Sequence, residues 1–416
     1  MHIGLVLATA FISIATGLLA GIYPAYYMTS FPPALVLKGS FGLSPKGRQL
    51  RNALIGVQYV ASFGLIIGAT FMYLQNYYMQ NTPLGYDKDE IIITNMNNNI
   101  RKSRDAFASQ VKSFSGIEEV TYAEMLLSSQ DQYMGWGRKY RDKDIQFQCL
   151  PVEPSFLKVM NVKISEGRDF REEDKAKRYG TFVFNERART EYGLEIGSLI
   201  DSMEIVGFMP DVKFASFRTE VTPMAFFVWG TNNWGNQPNY AYIKVKAGSD
   251  LRGAMQHVKT TLQSFDPEYP FNVRFFDEVF NGLYEKERSL SSLITLFSLI
   301  AIFISVVGVF GLVVFDSEYR KKEIGIRKVL GSTTEEIIVM FNKTYIRILC
   351  VCFVLGAPIA GYVVHRWLEN FAYKTPMYWW VYLIAFAIIA VITILTVTFQ
   401  NWRAANENPV HSIKNE

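Results

Sequence analysis

Cysteine and histidine are scarce, with three and four among 416 residues. Cys350 and Cys352 fall in a long apolar run and read as small apolar residues, and Cys149 stands alone in the polar middle of the chain, so a disulfide framework is excluded. His2, His257, His365 and His411 are far apart and none has the i, i+4 partner of a metalloprotease helix, which argues against a zinc site. A Walker-type phosphate loop is missing, and so is the Gly-x-Ser-x-Gly elbow of a nucleophilic hydrolase. The clustered acids Glu172, Glu173 and Asp174 read as a helix N-terminus or an exposed loop rather than as a catalytic group. The chain therefore reads as non-catalytic. Charge is also sparse: 19% of residues are charged, and 42 Lys+Arg against 38 Asp+Glu leave a net +4. With half the residues apolar, these figures exclude intrinsic disorder and a basic nucleic-acid binder, so no nucleic-acid partner is expected.

What the chain has instead is long apolar runs. A helix needs roughly 20 residues to cross about 30 Å of hydrocarbon. Residues 3–27, 53–74, 289–315 and 377–399 carry no charge, and a fifth run, 348–364, is bounded by Arg347 and His365, which can snorkel to headgroups. The first run has no basic leader and no cleavage site, so it reads as a span and not as a signal peptide. Basic residues are retained on the cytoplasmic side. Residues 28–52 hold Lys38, Lys46, Arg48 and Arg51 without an acid, and residues 316–343 hold six basic residues against five acids. Residues 79–288 hold 27 basic against 30 acidic residues. The expectation is a five-span chain with its N-terminus outside, its C-terminus inside and residues 79–288 external. An N-out start without a cleavable signal is awkward, because one preceding span would normally deliver such an N-terminus.

Residues 79–288 suffice for an α+β domain. Short runs rich in β-branched and aromatic residues predict strands at 90–94, 119–123, 147–152, 181–184, 204–208, 224–229, 240–246 and 272–276. Phe107, Val111 and Phe114 predict one helix; Leu251, Met255, Val258 and Leu262, opened by Ser249 and Asp250, predict another. Pro154 and the Gly/Asn/Pro-rich stretch 230–239 bound an expected inserted subdomain, about 154–239. From Asp277 into Ser289 the pattern predicts one continuous helix joining the domain to the membrane. Trp136, Trp229 and Trp234 read as core or interface packing, or as exposed contacts. The pairs Gly17/Gly21 and Gly64/Gly68 would let helices approach closely, against plain composition as the alternative.

The most specific stretch is residues 318–336. Ile324, Ile326, Val329 and Leu330 alternate with Glu323, Arg327 and Lys328 to give a short amphipathic helix, which Gly331 would stop. Ser332 or Thr333 would cap the next helix, with Glu335 or Glu336 completing a capping box. Residues 33–38 and 409–414 echo one another, each with Pro, a small apolar residue and a Lys at matching offsets.

Residues 320–332, Arg-Lys-Lys-Glu-Ile-Gly-Ile-Arg-Lys-Val-Leu-Gly-Ser, resemble the signature of the FtsX/MacB-type permeases of ATP-binding cassette (ABC) transporters. Asn408-Pro409-Val410 with Ile413-Lys414 resembles their C-terminal ending. Gly167-Arg168-Asp169-Phe170, Asn185-Glu186, Ile205-Val206-Gly207 and Asp211 resemble their periplasmic core domain. The resemblance implies a multi-span α-helical membrane protein with a large α+β extracytoplasmic domain inserted between spans two and three. Residues 1–40 resemble the terminal span and tail of a preceding unit, 48–78 the first span of an FtsX-like unit, 79–288 the MacB-like core domain and 289–416 a three-span permease domain. Large two-unit permeases of Bacteroidetes-like bacteria have eight spans, so the chain resembles their C-terminal half; either it is a truncated or split frame, or a partner supplies the other half. The resemblance further implies a bacterial inner-membrane location, a separate cytoplasmic ATPase that binds the ATP, and no cofactor in this chain. It implies a second permease unit and a periplasmic protein or cargo as further partners. The ATPase would dock on residues 320–331, a coupling set that starts with Arg320 and Lys321 and ends at Gly331, with Glu323, Arg327 and Lys328 giving charge complementarity and Ile324, Ile326 and Leu330 the buried anchors. The movement would serve export of peptide, lipoprotein or drug-like cargo, or control of a periplasmic partner such as a cell-wall hydrolase; an inactive half is the third alternative.

Overall fold

The computed structural model describes residues 11, 14, 15, 18, 45–128, 134–214, 216–232, 238–319, 326, 327 and 330–405. A long helix, α1 (Pro45–Asn81), leads into an α+β domain built on two sheets. The first sheet has the order β11 (Val273–Phe275), β1 (Ile91–Asn95), β10 (Tyr240–Val245), β2 (Ile117–Ala123), all antiparallel. Strand β1 reads Ile-Ile-Ile-Thr-Asn and lies between two neighbours, so its β-branched residues are buried on both faces. Helices α2 (Asn98–Lys102) and α3 (Arg104–Lys112) follow it. Phe107 and Val111 of α3 pack into the same core as Ala254, Val258 and Leu262 of α6 (Leu251–Phe265), and Phe114 packs on that core from just beyond the end of α3. Asp250 caps α6, its side chain accepting from Gly253 N at 3.0 Å.

The second sheet has the order β3 (Met134–Tyr140), β4 (Lys143–Pro151), β9 (Met224–Trp229), β6 (Gly180–Asn185), β8 (Met203–Met209), β5 (Glu166–Gly167), with β7 (Leu199–Ile200) on β8. It begins at Met134, twenty residues before the boundary that Pro154 suggested. The reason is that β3, Met-Gly-Trp-Gly-Arg-Lys-Tyr, places Met134, Trp136 and Tyr140 on one face but interleaves two glycines, which speak against a strand, and that β4 pairs with β3 and β9 in this sheet, meeting the first sheet at its end, Pro151–Val152. Strand β6, Gly-Thr-Phe-Val-Phe-Asn, is buried throughout because it is central. Gly180 holds φ +88° there, a conformation that favours glycine, and a Cβ at that position would collide with Val228 O. Helix α4 (Phe156–Val159) sits between the sheets and α5 (Glu186–Tyr192) covers the second. Rings from both sheets meet in one core: Phe156 packs on Phe226 at 5.6 Å and on Tyr242 at 5.1 Å, and Tyr242 on Phe276 at 6.0 Å. Trp136 packs on Phe227 at 4.8 Å in a separate cluster, which makes it a packing residue; Trp234 lies outside the described residues.

The chain leaves the domain through α7 (Phe276–Gly282) and α8 (Glu285–Tyr319). They are two helices, not the single rod expected from residues 277–289. The ladder tightens at Leu283 and Tyr284, whose N–H groups bond to Phe280 O and Asn281 O three residues back, and Tyr284 is held aside by a bond from Phe217 N to its hydroxyl. Helices α9 (Thr334–Leu368) and α10 (Trp379–Ala405) complete the described chain. Among the described residues, four helices are long and apolar enough to cross a membrane, at Ile55–Asn81, Glu285–Gly308, Thr334–Leu368 and Trp379–Arg403. The run at residues 3–27 lies outside the described residues apart from Phe11, Ile14, Ala15 and Leu18, which are helical. The echo at 33–38 and 409–414 lies outside them as well.

Contacts divide the chain into two units, and the division falls within the four helices. In the unit made of residues 1–62, 301–356 and 386–416, Tyr59 bonds Thr393 at 3.0 Å, Ser62 bonds Ser305 at 2.8 Å and Asn342 donates to Thr398 at 2.8 Å. Small hydroxyl and amide side chains thus bond helix to helix where lipid could not satisfy them. In the unit of residues 63–300 and 357–385, Ser298 donates to Leu65 O at 3.0 Å, and Gln75 bridges the α9–α10 connection by donating to Tyr373 O at 3.0 Å and accepting from Thr375 N at 2.8 Å. Gly64 and Gly68 have nothing within 4 Å of a Cβ position among the described residues; Gly17 and Gly21 lie outside them.

Candidate functional site

Two places in the described structure are candidate sites. The first is the turn before α9. Of the expected docking residues, Ile326, Arg327, Leu330 and Gly331 are described, whereas Arg320, Lys321, Glu323, Ile324 and Lys328 lie outside the described residues. Ile326 and Arg327 are helical, and Leu330 N and Ser332 N bond back to Ile326 O and Arg327 O at 3.0 and 2.9 Å. Gly331 takes φ +96° and ends the turn. Thr333 and Glu336 form the capping box: Glu336 N donates to Thr333 Oγ1 at 3.2 Å and Thr333 N to Glu336 Oε2 at 3.1 Å. Of the alternatives open in the sequence, it is therefore this pair that caps α9. Ile326 is 56% and Leu330 80% exposed, so two apolar side chains stand out of a turn held by five backbone and side-chain constraints. Thr333→Ala is expected to lower the stability of the first turn of α9 by about 1 kcal/mol, read as faster amide exchange at residues 335–337.

The second place is the loop at residues 210–223, between β8 and β9. Phe217, 1% exposed, is boxed by one ring from each helix end: Tyr78 of α1 at 6.1 Å, Tyr284 before α8 at 6.2 Å and Tyr373 between α9 and α10 at 5.8 Å. Its backbone is held too, N donating to the Tyr284 hydroxyl at 2.9 Å and O accepting from Tyr373 N at 3.1 Å. Burial pushes the Tyr284 phenol up to about 12, so it stays neutral. Arg218 pairs with Glu287, whose side chain is 6% exposed, and Lys213 N donates to Leu84 O at 2.9 Å. Burial also pulls the Lys213 ammonium below its ordinary value. The loop thereby touches the end of α1, the junction of α7 and α8 and the connection between α9 and α10. Sequence reasoning missed this clasp because its members at 78, 217, 284 and 373 share no local pattern.

The motif residues of the domain hold the same loop. Asn185 Oδ1 accepts from Ala188 N at 3.1 Å and Met224 N at 2.9 Å, and Asn185 Nδ2 donates to Thr222 O at 3.0 Å, which fixes the loop's far end. Asp211 Oδ1 accepts from Arg187 N at 2.8 Å, which fixes its start. Gly167, at φ +82°, places Arg168 beside β8, and a Cβ on Gly207 would collide with Arg168 O. Arg168 then grips Asp174 with two bonds of 2.8 Å. Glu172, Glu173 and Asp174 form the first turn of a 3-10 helix (Glu172–Ala176), the helix N-terminus that the sequence offered, but Asp174 is not exposed: its side chain is 1% exposed. Burial pushes its carboxyl up, but the Arg168 guanidinium and the Arg171 N–H outweigh that and hold it below the ordinary carboxylate range. Cys149 is buried, its thiol raised to about 12 by that burial, and donates to Met134 O at 3.4 Å. Among the described residues no three His, Cys, Asp or Glu side chains gather as metal ligands.

These features sit on four described helices of span length and an α+β domain that follows α1. The family model described as FtsX-like permease C-terminal matches residues 295–409, and that described as MacB-like periplasmic core domain matches residues 55–261. The macrolide export ATP-binding/permease protein MacB of Chromobacterium violaceum is 23% identical over 230 residues, covering 53% of this chain and 35% of that protein. Its counterpart in Escherichia coli K12 is 22% identical over 233 residues, with the same shares. The match spans about a third of the length of these curated relatives. The crystal structure of the periplasmic region of MacB from Actinobacillus actinomycetemcomitans aligns at 13% identity and a TM-score of 0.36, covering 50% of this chain and 98% of that one. The chain belongs to the FtsX/MacB-type permeases of ABC transporters.

Proposed function

We propose that the chain is the permease subunit of an ABC-type exporter in the bacterial inner membrane, with its N-terminus outside and its C-terminus in the cytoplasm. A separate ATPase binds the ATP and docks on residues 320–331. The observation that carries this reading is the exposure of Ile326 and Leu330 beside Arg327 on a turn closed by Gly331 and the Thr333–Glu336 box. Apolar anchors next to an Arg, on rigid backbone, are what a protein partner can bury. ATP-driven closure of the partner moves this turn, and α8 and α9 carry the movement to the periplasmic domain. There it passes through the clasp at Phe217 rather than along a single rod, since α7 and α8 are separate helices. The movement serves extrusion of peptide, lipoprotein or drug-like cargo.

Hydrogen exchange on the chain reconstituted with its ATPase tests this. Trapping the ATPase with ATP bound is expected to change exchange at residues 212–222, and Tyr284→Phe with Tyr373→Phe to abolish the change while the ATPase complex persists, because the rings remain but the hydroxyl to Phe217 N and the hydroxyl to Val221 N are gone. Unaltered exchange at 212–222 in the wild-type complex would refute transmission through the clasp.

A further inference from the structure

A cleft of about 550 Å³ opens in the α+β domain where three strands end: β2 at Ala123, β4 at Pro151 and β9 at Trp229. All three reach it by their carboxyl ends, and β4 and β9 are parallel there, the arrangement that leaves a crevice beside an open sheet. Its floor is fixed backbone, since Glu124 N bonds Pro151 O at 3.1 Å and Glu153 N bonds Tyr122 O at 3.0 Å across the two sheets. The volume suits a ligand of several residues and exceeds what a single small anion needs.

Its lining is cationic in excess. Arg101, Lys102, Arg104 and Lys175 face two acids, Glu124 and Glu153. Glu153 is already shared, by Arg104 Nη1 at 2.6 Å and by Lys175. Burial raises the Glu124 carboxyl above its ordinary range. Arg104 spends only Nη1 on Glu153, and among the described residues its other guanidinium nitrogens and the exposed Lys102 ammonium have no hydrogen-bond partner. These donors share the cleft lining with Tyr122, whose ring the Arg104 guanidinium overlies at 5.9 Å, and with Trp229.

We propose that this cleft binds an acidic peptide segment, its carboxylates on Lys102 and Arg104 and an apolar side chain against Trp229. As a cargo or partner site it rests on the permease reading, but binding itself requires no ATPase. The test is fluorescence anisotropy with the full chain in lipid nanodiscs, without ATPase, using a hexapeptide of alternating Asp and Leu carrying a neutral dye, and its Lys-for-Asp counterpart. The acidic peptide is expected to bind saturably, at least about tenfold tighter than the basic one, and about tenfold more weakly to Lys102→Glu and to Arg104→Gln. Raised salt should weaken it further. Lys102 is exposed, so Lys102→Glu leaves the fold intact as read by amide exchange. Equal affinity for the two peptides, no binding of either, or unchanged affinity in both variants would overturn the proposal. Peptide binding that survives in a variant unable to hold the ATPase keeps this outcome separate from that of the coupling reading.

Discussion

Arg168→Ala is expected to destabilise the second sheet by about 3 kcal/mol or more, because it strands the Asp174 carboxylate in the interior with the Arg171 N–H and Lys177, at 3.4 Å, as its remaining partners. Amide exchange at β6 and β8 should then quicken by about a hundredfold, at 1.4 kcal/mol per factor of ten. The double variant Arg168→Ala with Asp174→Ala should recover part of the loss, since no unpaired charge is left buried. The same pair sets an acid limit in the wild type. The folded carboxyl of Asp174 lies below its unfolded value, so its contribution is complete above about pH 4 and drains away as pH falls toward the folded value. Exchange at β6 and β8 that is slower at pH 3 than at pH 6, after correction for intrinsic rates, would contradict this sign.

Arg327→Asp, and separately Leu330→Asp, should weaken the ATPase complex by about 30-fold or more, the loss of one or more interface hot spots of about 2 kcal/mol each. Leu330 is 80% exposed, so an acid there costs the isolated permease little and the loss falls on the complex. Gel filtration and ATP turnover of the reconstituted pair give the readout. Wild-type affinity and turnover in both variants would place the ATPase contact elsewhere.

The elements that the sequence made legible are those whose causes are local. Thr333, Glu336 and Gly331 lie within six residues of one another, and their capping box and positive-φ stop follow from side-chain chemistry alone. Four of the five expected spans are helices of the length their apolar runs predicted, the run at 3–27 lying largely outside the described residues, and α6 followed from Asp250 with Val258 and Leu262 on one face. Strand β3 was not legible, because Gly135 and Gly137 dilute its pattern and its place is set by pairing with β4. Nor was the break at Leu283–Tyr284, which depends on Phe217 sixty-seven residues away. Asp174 looked like one acid among three; only the fold, by bringing Arg168 and the Arg171 N–H onto it, sets it apart from Glu172 and Glu173. The motif residues Asn185 and Asp211 were legible as a resemblance, but their work of holding both ends of the 210–223 loop was not.

The most direct test of the coupling reading is mild-detergent purification of the chain from native membranes, with mass spectrometry of everything that accompanies it and assay of ATP hydrolysis. The account predicts a co-purifying ATPase subunit that is lost from the Arg327→Asp preparation while the permease remains in the membrane fraction. Recovery of the chain without any ATP-hydrolysing subunit, or with one that stays bound to Arg327→Asp and Leu330→Asp alike, would contradict it.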